Sequence, residues 1–410
     1  MQSKCHVLLC STSLLLILMI GTNLFAEGDE GYIYGKITLE NGNIYQGVMR
    51  WGDEEAFWDD MFNSTKYDDI FDQLDISPRE VKSFDDAKKS RRRRFWGWND
   101  NNLIHTFKCR FGDIKKLRLR GSKSVYVTFK NGDELRISGG SNDIGANIYI
   151  MDNELGEIKL KWRRIETIEF IPTPQKLDYT FGEPLYGLVE TVGGPFKGFI
   201  QWDEDETLSV DVLDGESKDG DLEIPFGKIR SIERYRRGAL VTLKSGRELY
   251  LTGTNDVNKD NSGIVVKDER YGRVVISWRE FKKITFQDEI VGSGPAYDDF
   301  KTPKALKGTV LFGGGDSAQG CMAYDLDERL GLEILEGELD GVEYMIPFSM
   351  IQKIIPERRW GSEVILKNGE RLELEESQDV DDDNDGILIW TTDDDIYYIN
   401  WDRVQEIAFE

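Results

Sequence analysis

The residues with the clearest chemical pattern are Asp381, Asp383 and Asp385, which alternate in DVDDDNDGILI and precede Gly386. Alternating carboxylates before a glycine are typical of the front of a calcium-binding loop. Their oxygens converge on one hard cation, and the glycine permits a sharp bend. The twelfth position holds Thr392, where such a loop has a bidentate glutamate. The pattern therefore predicts either a calcium site or a solvated acidic hairpin loop.

Catalytic patterns are scarce elsewhere. His105 alternates with Phe107 and Cys109 in the predicted strand LIHTFKCRF, a spacing typical of a core or edge position. The glycines of 312–317, FGGGDS, precede neither a helix nor a lysine, so they indicate a hairpin turn and not a phosphate loop. Abundant carboxylates leave a hydrolase open, but similar units in tandem argue against a single active site. We therefore predict that the protein is not an enzyme.

Residues 1–26 have the order of a secretory signal peptide, with one lysine, an apolar run and a short polar stretch ending at Ala26. The apolar run is shorter than the ~20 residues that a spanning helix needs. We expect cleavage after Ala26 and export to the periplasm or the extracellular space, with an uncleaved anchor as the alternative. After cleavage, no integral membrane segment is expected.

The chain of 410 residues has a net charge of −24, and residues 306–410 alone carry 8 basic and 26 acidic side chains. An acidic surface repels nucleic acid, so no nucleic-acid partner is expected. Two of the four cysteines, Cys109 and Cys321, lie beyond the predicted signal. Comparison of the repeats described below places both at positions that are apolar elsewhere, which predicts small buried side chains.

Internal self-similarity determines the predicted fold. Three stretches alternate apolar and polar residues around a Lys-Asn-Gly or Lys-Ser-Gly turn, which supplies the positive φ of a tight hairpin. Each is followed by a tail that ends in an aspartate and an aliphatic residue, and each is preceded by a similar first half. The three stretches are VYVTFKNGDELRIS (125–138), ALVTLKSGRELYLT (239–252) and SEVILKNGERLELE (362–375).

Six segments carry an aromatic residue and two apolar residues spaced three apart. A period of three cannot continue a strand, whose side chains alternate by two, but it fits one 3₁₀ turn. We expect the aromatic residue to close a fourth strand, the second residue to plug the turn and the third to open a fifth strand. All three would enter one small core. The aromatic residues are Phe111, Trp162, Phe226, Trp278, Phe348 and Trp401.

Five short strands with a 3₁₀ turn before the last resemble an SH3-like or Sm-like small barrel. The predicted fold class is all-β, with three tandem repeats of about 105 residues that each contain two such barrels. A single larger sandwich in each repeat is the alternative. The predicted repeats span 31–171, 182–287 and 306–410, with proline-containing linkers between them. SH3-like modules in exported proteins often bind peptides or cell-wall polymers, so the resemblance implies a ligand of that kind.

One stretch of the first repeat, 56–104, is predicted to be a helical insertion. The segment 77–80, Ser-Pro-Arg-Glu, combines an N-cap serine, a proline in the first turn and a capping-box glutamate, and Val81 and Phe84 follow at helical spacing. A basic run with aromatic residues comes next. The predicted partner-binding residues are Arg91, Arg92, Arg93, Arg94, Phe95, Trp96 and Trp98.

Such a run can bind an acidic partner, an anionic polymer or a membrane surface. Docking onto the chain's own acidic third repeat and a disordered loop are the alternatives. Together the patterns favour an exported, non-catalytic binding or scaffold protein whose partner is an envelope or extracellular protein, peptide or polymer. A calcium-stabilised structural surface protein is the first alternative, and a carboxylate-dependent hydrolase the second. No cofactor is expected, with calcium as the one candidate.

Overall fold

The chain folds into antiparallel β-sheets joined by tight turns, so the all-β prediction is confirmed. Every regular element in the described ranges is a strand or a short 3₁₀ turn, and none of these elements is a helix long and apolar enough to cross a membrane. The computed structural model describes residues 28–66, 81–83, 105–121, 123–138, 143–287, 292–357, 360–391 and 395–410.

The strands fall into three successive regions, which we call regions 1, 2 and 3. Region 1 contains β1 (Tyr34–Leu39), β2 (Ile44–Trp51), β3 (Met61–Lys66), β4 (Val81–Ser83), β5 (His105–Arg110), β6 (Ile114–Arg120), β7 (Ser124–Phe129), β8 (Glu134–Ser138), β9 (Asn147–Asp152), β10 (Gly156–Lys161) and β11 (Ile165–Phe170). Region 2 contains β12 (Tyr186–Thr191), β13 (Pro195–Gln201), β14 (Val212–Ser217), β15 (Gly220–Pro225), β16 (Ile229–Tyr235), β17 (Gly238–Leu243), β18 (Glu248–Leu251), β19 (Ile264–Asp268), β20 (Gly272–Ile276) and β21 (Phe281–Phe286). Region 3 contains β22 (Lys307–Phe312), β23 (Asp316–Ala323), β24 (Ile334–Leu339), β25 (Val342–Pro347), β26 (Ile351–Glu357), β27 (Gly361–Leu366), β28 (Arg371–Glu375), β29 (Ile387–Trp390), β30 (Ile396–Ile399) and β31 (Val404–Phe409).

Within region 1, the two halves exchange their first hairpins. Strand β1 pairs with β11, and β2 pairs with β9. The β1–β2 hairpin of the first half therefore lies beside strands of the second half, which follow the β7–β8 hairpin in the chain. Strand β8 of the second hairpin pairs with β3 of the first half. Regions 2 and 3 repeat this order, as the β12–β21, β13–β19, β22–β31 and β23–β29 pairs show. This arrangement differs from the prediction that each half builds its own barrel, and it makes the two halves depend on one another.

The spacing of three has two structural causes. Short 3₁₀ turns occupy Phe111–Asp113, Trp162–Arg164, Phe226–Lys228, Phe348–Met350 and Trp401–Arg403, and a hydrogen-bonded turn follows Ser277 at the sixth position. The second residue of each triplet opens the next strand, and a β-bulge then brings the third inward. In β6, for example, the register against β7 shifts between Ile114 and Lys116. A bulge adds one residue to a strand, so Ile114 and Leu117 are both fully buried.

The predicted core residues occupy the interior. Trp162, Trp278 and Trp401 are 4%, 7% and 6% exposed, which confirms their predicted burial, and Cys109 is buried as expected. Cys321 is exposed, contrary to the prediction. Its side chain lies on the outer face of β23. The equivalent residue of region 1, Val48, also lies on an outer face, but it is buried by contact with a neighbouring region.

The linker before region 3 and the predicted insertion of region 1 both contact other parts of the structure. The linker residues Tyr297 and Phe300 pack into the core of region 1, and the Tyr297 hydroxyl donates to the Ile114 carbonyl at 2.9 Å. The predicted insertion contains a strand at Met61–Lys66 and another at Val81–Ser83. Val81 is therefore in a strand and not in the expected helix, whereas the helix start at 77–80 lies outside the described residues.

The three regions meet at one buried joint, which we call the junction. Its apolar residues come from β3 of region 1, from β19 and β20 of region 2, and from β24 and β25 of region 3. Strands β20 and β25 also pair antiparallel, which extends one sheet across regions 2 and 3. The junction residues are Met61, Val265, Val275, Ile334 and Met345.

Candidate functional site

The predicted calcium loop folds as a turn held by its own side chains. An Asp381 carboxylate oxygen accepts the Asp383 backbone N–H at 2.8 Å. At the equivalent position of region 2, the neutral Asn258 accepts the Asp260 N–H at 2.7 Å. Since an uncharged side chain forms the same turn, the acidity of Asp381 is not needed for the loop conformation.

The same loop is attached to the interior of region 3. The Asp385 backbone N–H donates to a carboxylate oxygen of Asp325, and the Asn384 side chain donates to the Asp379 carbonyl at 3.2 Å. Within the described ranges, no group of three or more His, Cys, Asp or Glu residues is arranged to hold a metal ion. The structure thus supplies no support for a calcium site at Asp381, Asp383 and Asp385, and calcium binding there stays a prediction.

The described part of the insertion lies on region 3. Strand β4 pairs parallel with β30, and the Lys82 ammonium forms an ion pair with Asp395. The Lys82 ammonium also lies 5.7 Å from the centre of the Tyr397 ring. These contacts match the alternative in which the insertion docks onto the acidic third repeat. The basic and aromatic run from Arg91 to Trp98 lies outside the described residues.

An acidic corner that was not predicted from the sequence recurs in all three regions. In region 1, the Asp60 carboxylate accepts the backbone N–H groups of Ala56 and Phe57 at 2.8 and 2.7 Å. Asp211 and Glu333 accept two N–H groups each in the same way in regions 2 and 3. Each carboxylate therefore fixes the corner between the second and third strands of its region.

The second oxygen of each corner carboxylate binds a cation from another region. Asp60 pairs with Lys267 of region 2 at 2.5 Å, and Asp211 pairs with Arg50 of region 1 at 2.9 Å. Glu333 pairs with Lys66 of region 1 at 2.7 Å. All six side chains are at least 86% buried, so these ion pairs act as inter-region contacts. The list of paired residues is Asp60–Lys267, Asp211–Arg50 and Glu333–Lys66.

The repeated tail aspartates form a second set of buried acids. The carboxylates of Asp143, Asp256 and Asp379 accept backbone N–H groups at 2.5, 2.6 and 2.7 Å. The backbone carbonyls of the same three residues accept a hydrogen bond from Trp51, Trp202 and Tyr324, respectively. Burial raises their pKa values to about 7 for Asp143, about 6 for Asp256 and about 7 for Asp379. The tail motif therefore serves the fold of each region.

A cavity of about 1160 Å³ lies beside the junction. Residues of all three regions and of the 295–304 linker line it, and both buried and exposed side chains contribute, so it opens to solvent. The junction residues Met61, Ile334 and Met345 form part of its wall. The linker ring of Phe300, held by region 1, forms another part.

The cavity is basic although the protein is acidic. Nine basic and six acidic residues line it, in a chain whose net charge is −24. Four of the basic side chains form ion pairs with carboxylates, and five form none within the described residues. The four pairs are Arg110–Asp113, Lys267–Asp60, Arg270–Asp268 and Lys307–Glu410. The five others are Lys197, Arg273, Lys301, Lys304 and Lys367.

Arg273 is the most constrained of these five. One of its terminal nitrogens donates to the Gln201 amide oxygen at 3.1 Å. Its Nε is buried and has no hydrogen-bond partner among the described residues. A buried guanidinium N–H without an acceptor costs free energy, and the positive charge of Arg273 favours the charged forms of the buried or half-buried carboxyl groups of Glu55, Asp143 and Glu343. Arg273 also lies directly opposite Met345 in the β20–β25 pair, so a cation adjoins the apolar wall.

Cys321 lines the same cavity and has an exposed thiol. Sequence comparison could not identify the cavity, because its residues come from strand ends and a linker that differ between the regions. Comparison with known proteins adds no further guide: no family model matches the chain, and no curated protein or solved structure is significantly similar to it.

Proposed function

We propose that this chain is a non-catalytic binding protein built from three tandem repeats and that the cavity at the junction holds an anionic ligand. The observation that carries the proposal is the excess of basic over acidic side chains around the cavity in a strongly acidic protein. Opposite charge in a partly enclosed site attracts and orients a ligand. A peptide, protein or envelope polymer ligand, as the sequence predicts, would therefore contact this site through a negatively charged group.

The repeat architecture is part of the same proposal. Recurrent hairpin exchange, acidic corners and buried tail aspartates support three homologous units with small-barrel pairing, similar to SH3-like modules. The cavity lies where three such units and one linker meet, so it does not follow from the repeat of a single unit. Export from the cell, suggested by 1–26, belongs to the proposal as well and places the ligand outside the cytoplasm.

Cys321 offers a direct test. Its reaction with N-ethylmaleimide, a neutral reagent, is measured with and without phosphate, citrate, polyglutamate and octyl sulfate. We expect at least one anion to slow the reaction in a saturable way, whereas glucose and spermidine leave it unchanged. A Cys321→Ser variant gives the background from other thiols. If no anion protects Cys321 and calorimetry detects no binding of any of them, the proposed function is wrong.

A further inference from the structure

The three-stranded sheets β6–β7–β8 and β26–β27–β28 occupy equivalent positions of regions 1 and 3, and each turns one face away from the core. Along most of β6, β7 and β8, buried residues alternate with more exposed ones, so the side chains between the core residues project from the outer face. Strands β26, β27 and β28 alternate in the same way. The strand pairing therefore defines three rows of three residues on each outer face.

The two sets of rows differ in charge. In region 1 the rows are Lys116–Thr128–Glu134, Arg118–Tyr126–Arg136 and Arg120–Ser124–Ser138, which we call the basic face. In region 3 the equivalent rows are Lys353–Ile365–Arg371, Ile355–Glu363–Glu373 and Glu357–Gly361–Glu375, which we call the acidic face. The basic face holds four cations and one carboxylate. The acidic face holds two cations and four carboxylates.

At three equivalent positions the sign of the charge is reversed between the two faces. All six of these residues are exposed. The equivalent pairs are Arg120 and Glu357, Glu134 and Arg371, and Arg136 and Glu373. The same backbone arrangement thus carries opposite charges in regions 1 and 3, so one chain contains two faces of similar form and opposite sign.

The acidic face has more carboxylates than its own cations can match. Arg371 pairs with Glu363 at 2.6 Å, and Lys353 pairs with Glu406 of β31 at 2.8 Å. Glu363 and Glu373 also lie directly opposite one another in the β27–β28 pair, where like charges are unfavourable. Cations supplied by a second surface would reduce this repulsion.

Region 2 shows that the fold does not require charge at the reversed positions. Tyr235 and Tyr250 occupy the positions equivalent to Arg120 and Arg136, and their rings meet edge to face with centres 5.9 Å apart. Since neutral residues fill the same positions of the same sheet, the stability of a region does not explain the opposite charges of regions 1 and 3.

We infer that the basic face of one copy of this chain docks on the acidic face of a second copy. The contact joins two different surfaces, so a dimer keeps one free face of each kind and association continues into an open chain or closes into a ring. Exposed ion pairs are individually weak, so the association should require high protein concentration and low salt. These faces are separate from the cavity, and the inference does not depend on the proposed ligand.

Sedimentation velocity of the full chain, over a series of protein concentrations, measures the association. We expect it at about 20 mM NaCl, where the Debye length is ~20 Å, and expect it to be at least tenfold weaker at about 500 mM NaCl, where that length is ~4 Å. A chain that stays monomeric at the lower salt concentration contradicts the inference.

Charge reversal identifies the faces. One variant combines Arg120→Glu with Arg136→Glu, and a second combines Glu357→Arg with Glu373→Arg. Each alone should associate at least tenfold more weakly than the natural chain, because like charges then oppose one another. The second variant lowers the net negative charge, so general repulsion between copies would predict the opposite result for it. Urea midpoints equal to that of the natural chain show that each variant is folded.

A mixture of the two variants gives the decisive result. In an equimolar mixture each reversed face meets a face of opposite sign, so association should return to within about threefold of that of the natural chain. The matched control combines Arg163→Glu with Arg164→Glu, two exposed residues of region 1 outside the basic face, and should change association by less than about threefold. A mixture that fails to associate, or a control as weak as the face variants, would show that these faces do not meet.

Two other partners are distinguished by the same measurements. If Glu233→Arg with Glu248→Arg abolishes association and the reversal of Glu357 and Glu373 does not, the docking face belongs to region 2 and the inference is wrong. If the chain is monomeric but binds polyglutamate through Arg120 and Arg136, the partner is an acidic polymer and the inference is again wrong. Neither result bears on the protection of Cys321, which tests the cavity.

Discussion

The acidic corners and the junction cavity are both built around buried charge, but they differ in how that charge is balanced. Each corner carboxylate accepts two backbone N–H groups through one oxygen and forms an ion pair with a cation of another region through the other. Around the cavity, five cations have no carboxylate partner within the described residues. A buried guanidinium N–H without an acceptor occurs in both places, at Arg273 beside the cavity and at Arg50 of the Asp211 corner. The corners occupy equivalent positions of the three regions, whereas the cavity is lined by residues of all three regions together.

This difference separates features that the fold requires from a feature that it does not. A satisfied polar group that recurs at equivalent positions of every region is explained by the stability of each region. A group of cations without carboxylate partners, drawn from different regions around one cavity, is not explained in that way. Cations without carboxylate partners therefore indicate a binding site more directly than a high density of charge does. The acidic loop 379–385 is dense in charge, but its own hydrogen bonds hold it as a turn.

The largest expected effect comes from breaking a corner. Asp211→Ala removes the acceptor of two N–H groups, from Thr207 and Leu208, and leaves Arg50 without its carboxylate. Loss of one partner from a buried pair costs ~3–5 kcal/mol, and urea unfolding monitored by tryptophan fluorescence measures this loss. Asp211→Asn, which retains an acceptor oxygen, should cost less. A change below 1 kcal/mol for Asp211→Ala would show that the corner does not join the regions.

A smaller effect should follow when the cavity wall is displaced. A Cβ atom at Gly112 would lie 2.4 Å from the ring of Phe300, which is in the linker. Overpacking of this kind costs ~1–3 kcal/mol, so Gly112→Ala should lower the free energy of unfolding by that amount and alter the reactivity of Cys321. In a Phe300→Ala background the same substitution should cost almost nothing. Equal costs in the two backgrounds would contradict docking of the linker on region 1.

Buried tail aspartates should give the protein a measurable pH dependence. Because burial raises the native pKa of Asp379 from 3.8 to about 7, the native state binds more protons than the unfolded state between these values. Its contribution to stability therefore falls as the pH rises from about 4 to 7, and is constant above that range. Asp379→Asn mimics the protonated form and should flatten this part of the stability profile. An unchanged slope in the variant would show that Asp379 titrates normally.

The sequence predicts the local structure of this fold better than its connections. The turn glycines illustrate the local part, since Gly132, Gly246 and Gly369 have φ values of 92°, 86° and 92° as the hairpin prediction requires. The exchange of hairpins involves pairing between strands far apart in the chain, and alternating patterns alone do not specify which strands pair. The contrast between Cys321 and Val48 has the same origin, because only the arrangement of the regions decides which outer faces are covered.

The corner carboxylates could have been found from sequence, whereas Arg273 could not. Asp60, Asp211 and Glu333 occupy equivalent positions a fixed distance after Trp51, Trp202 and Tyr324, and a comparison of the repeats at those positions would have shown the recurrent acid. Arg273 has no acidic or basic counterpart that recurs. Its position beside the junction depends on a strand pair between two regions, which is a three-dimensional property.

The smallest expected effect concerns the acidic loop, where Asp381→Asn should change the free energy of unfolding by less than about 0.5 kcal/mol. The reason is that Asn258 already makes the equivalent hydrogen bond in region 2 with an uncharged oxygen. Melting in the presence and absence of millimolar calcium completes the test. A calcium-dependent rise in Tm that Asp381→Asn and Asp383→Ala both abolish would establish the metal site and would show that this loop binds a ligand. A Tm that calcium leaves unchanged in all three proteins would assign the loop to the fold alone, as the satisfied turn and its neutral counterpart indicate.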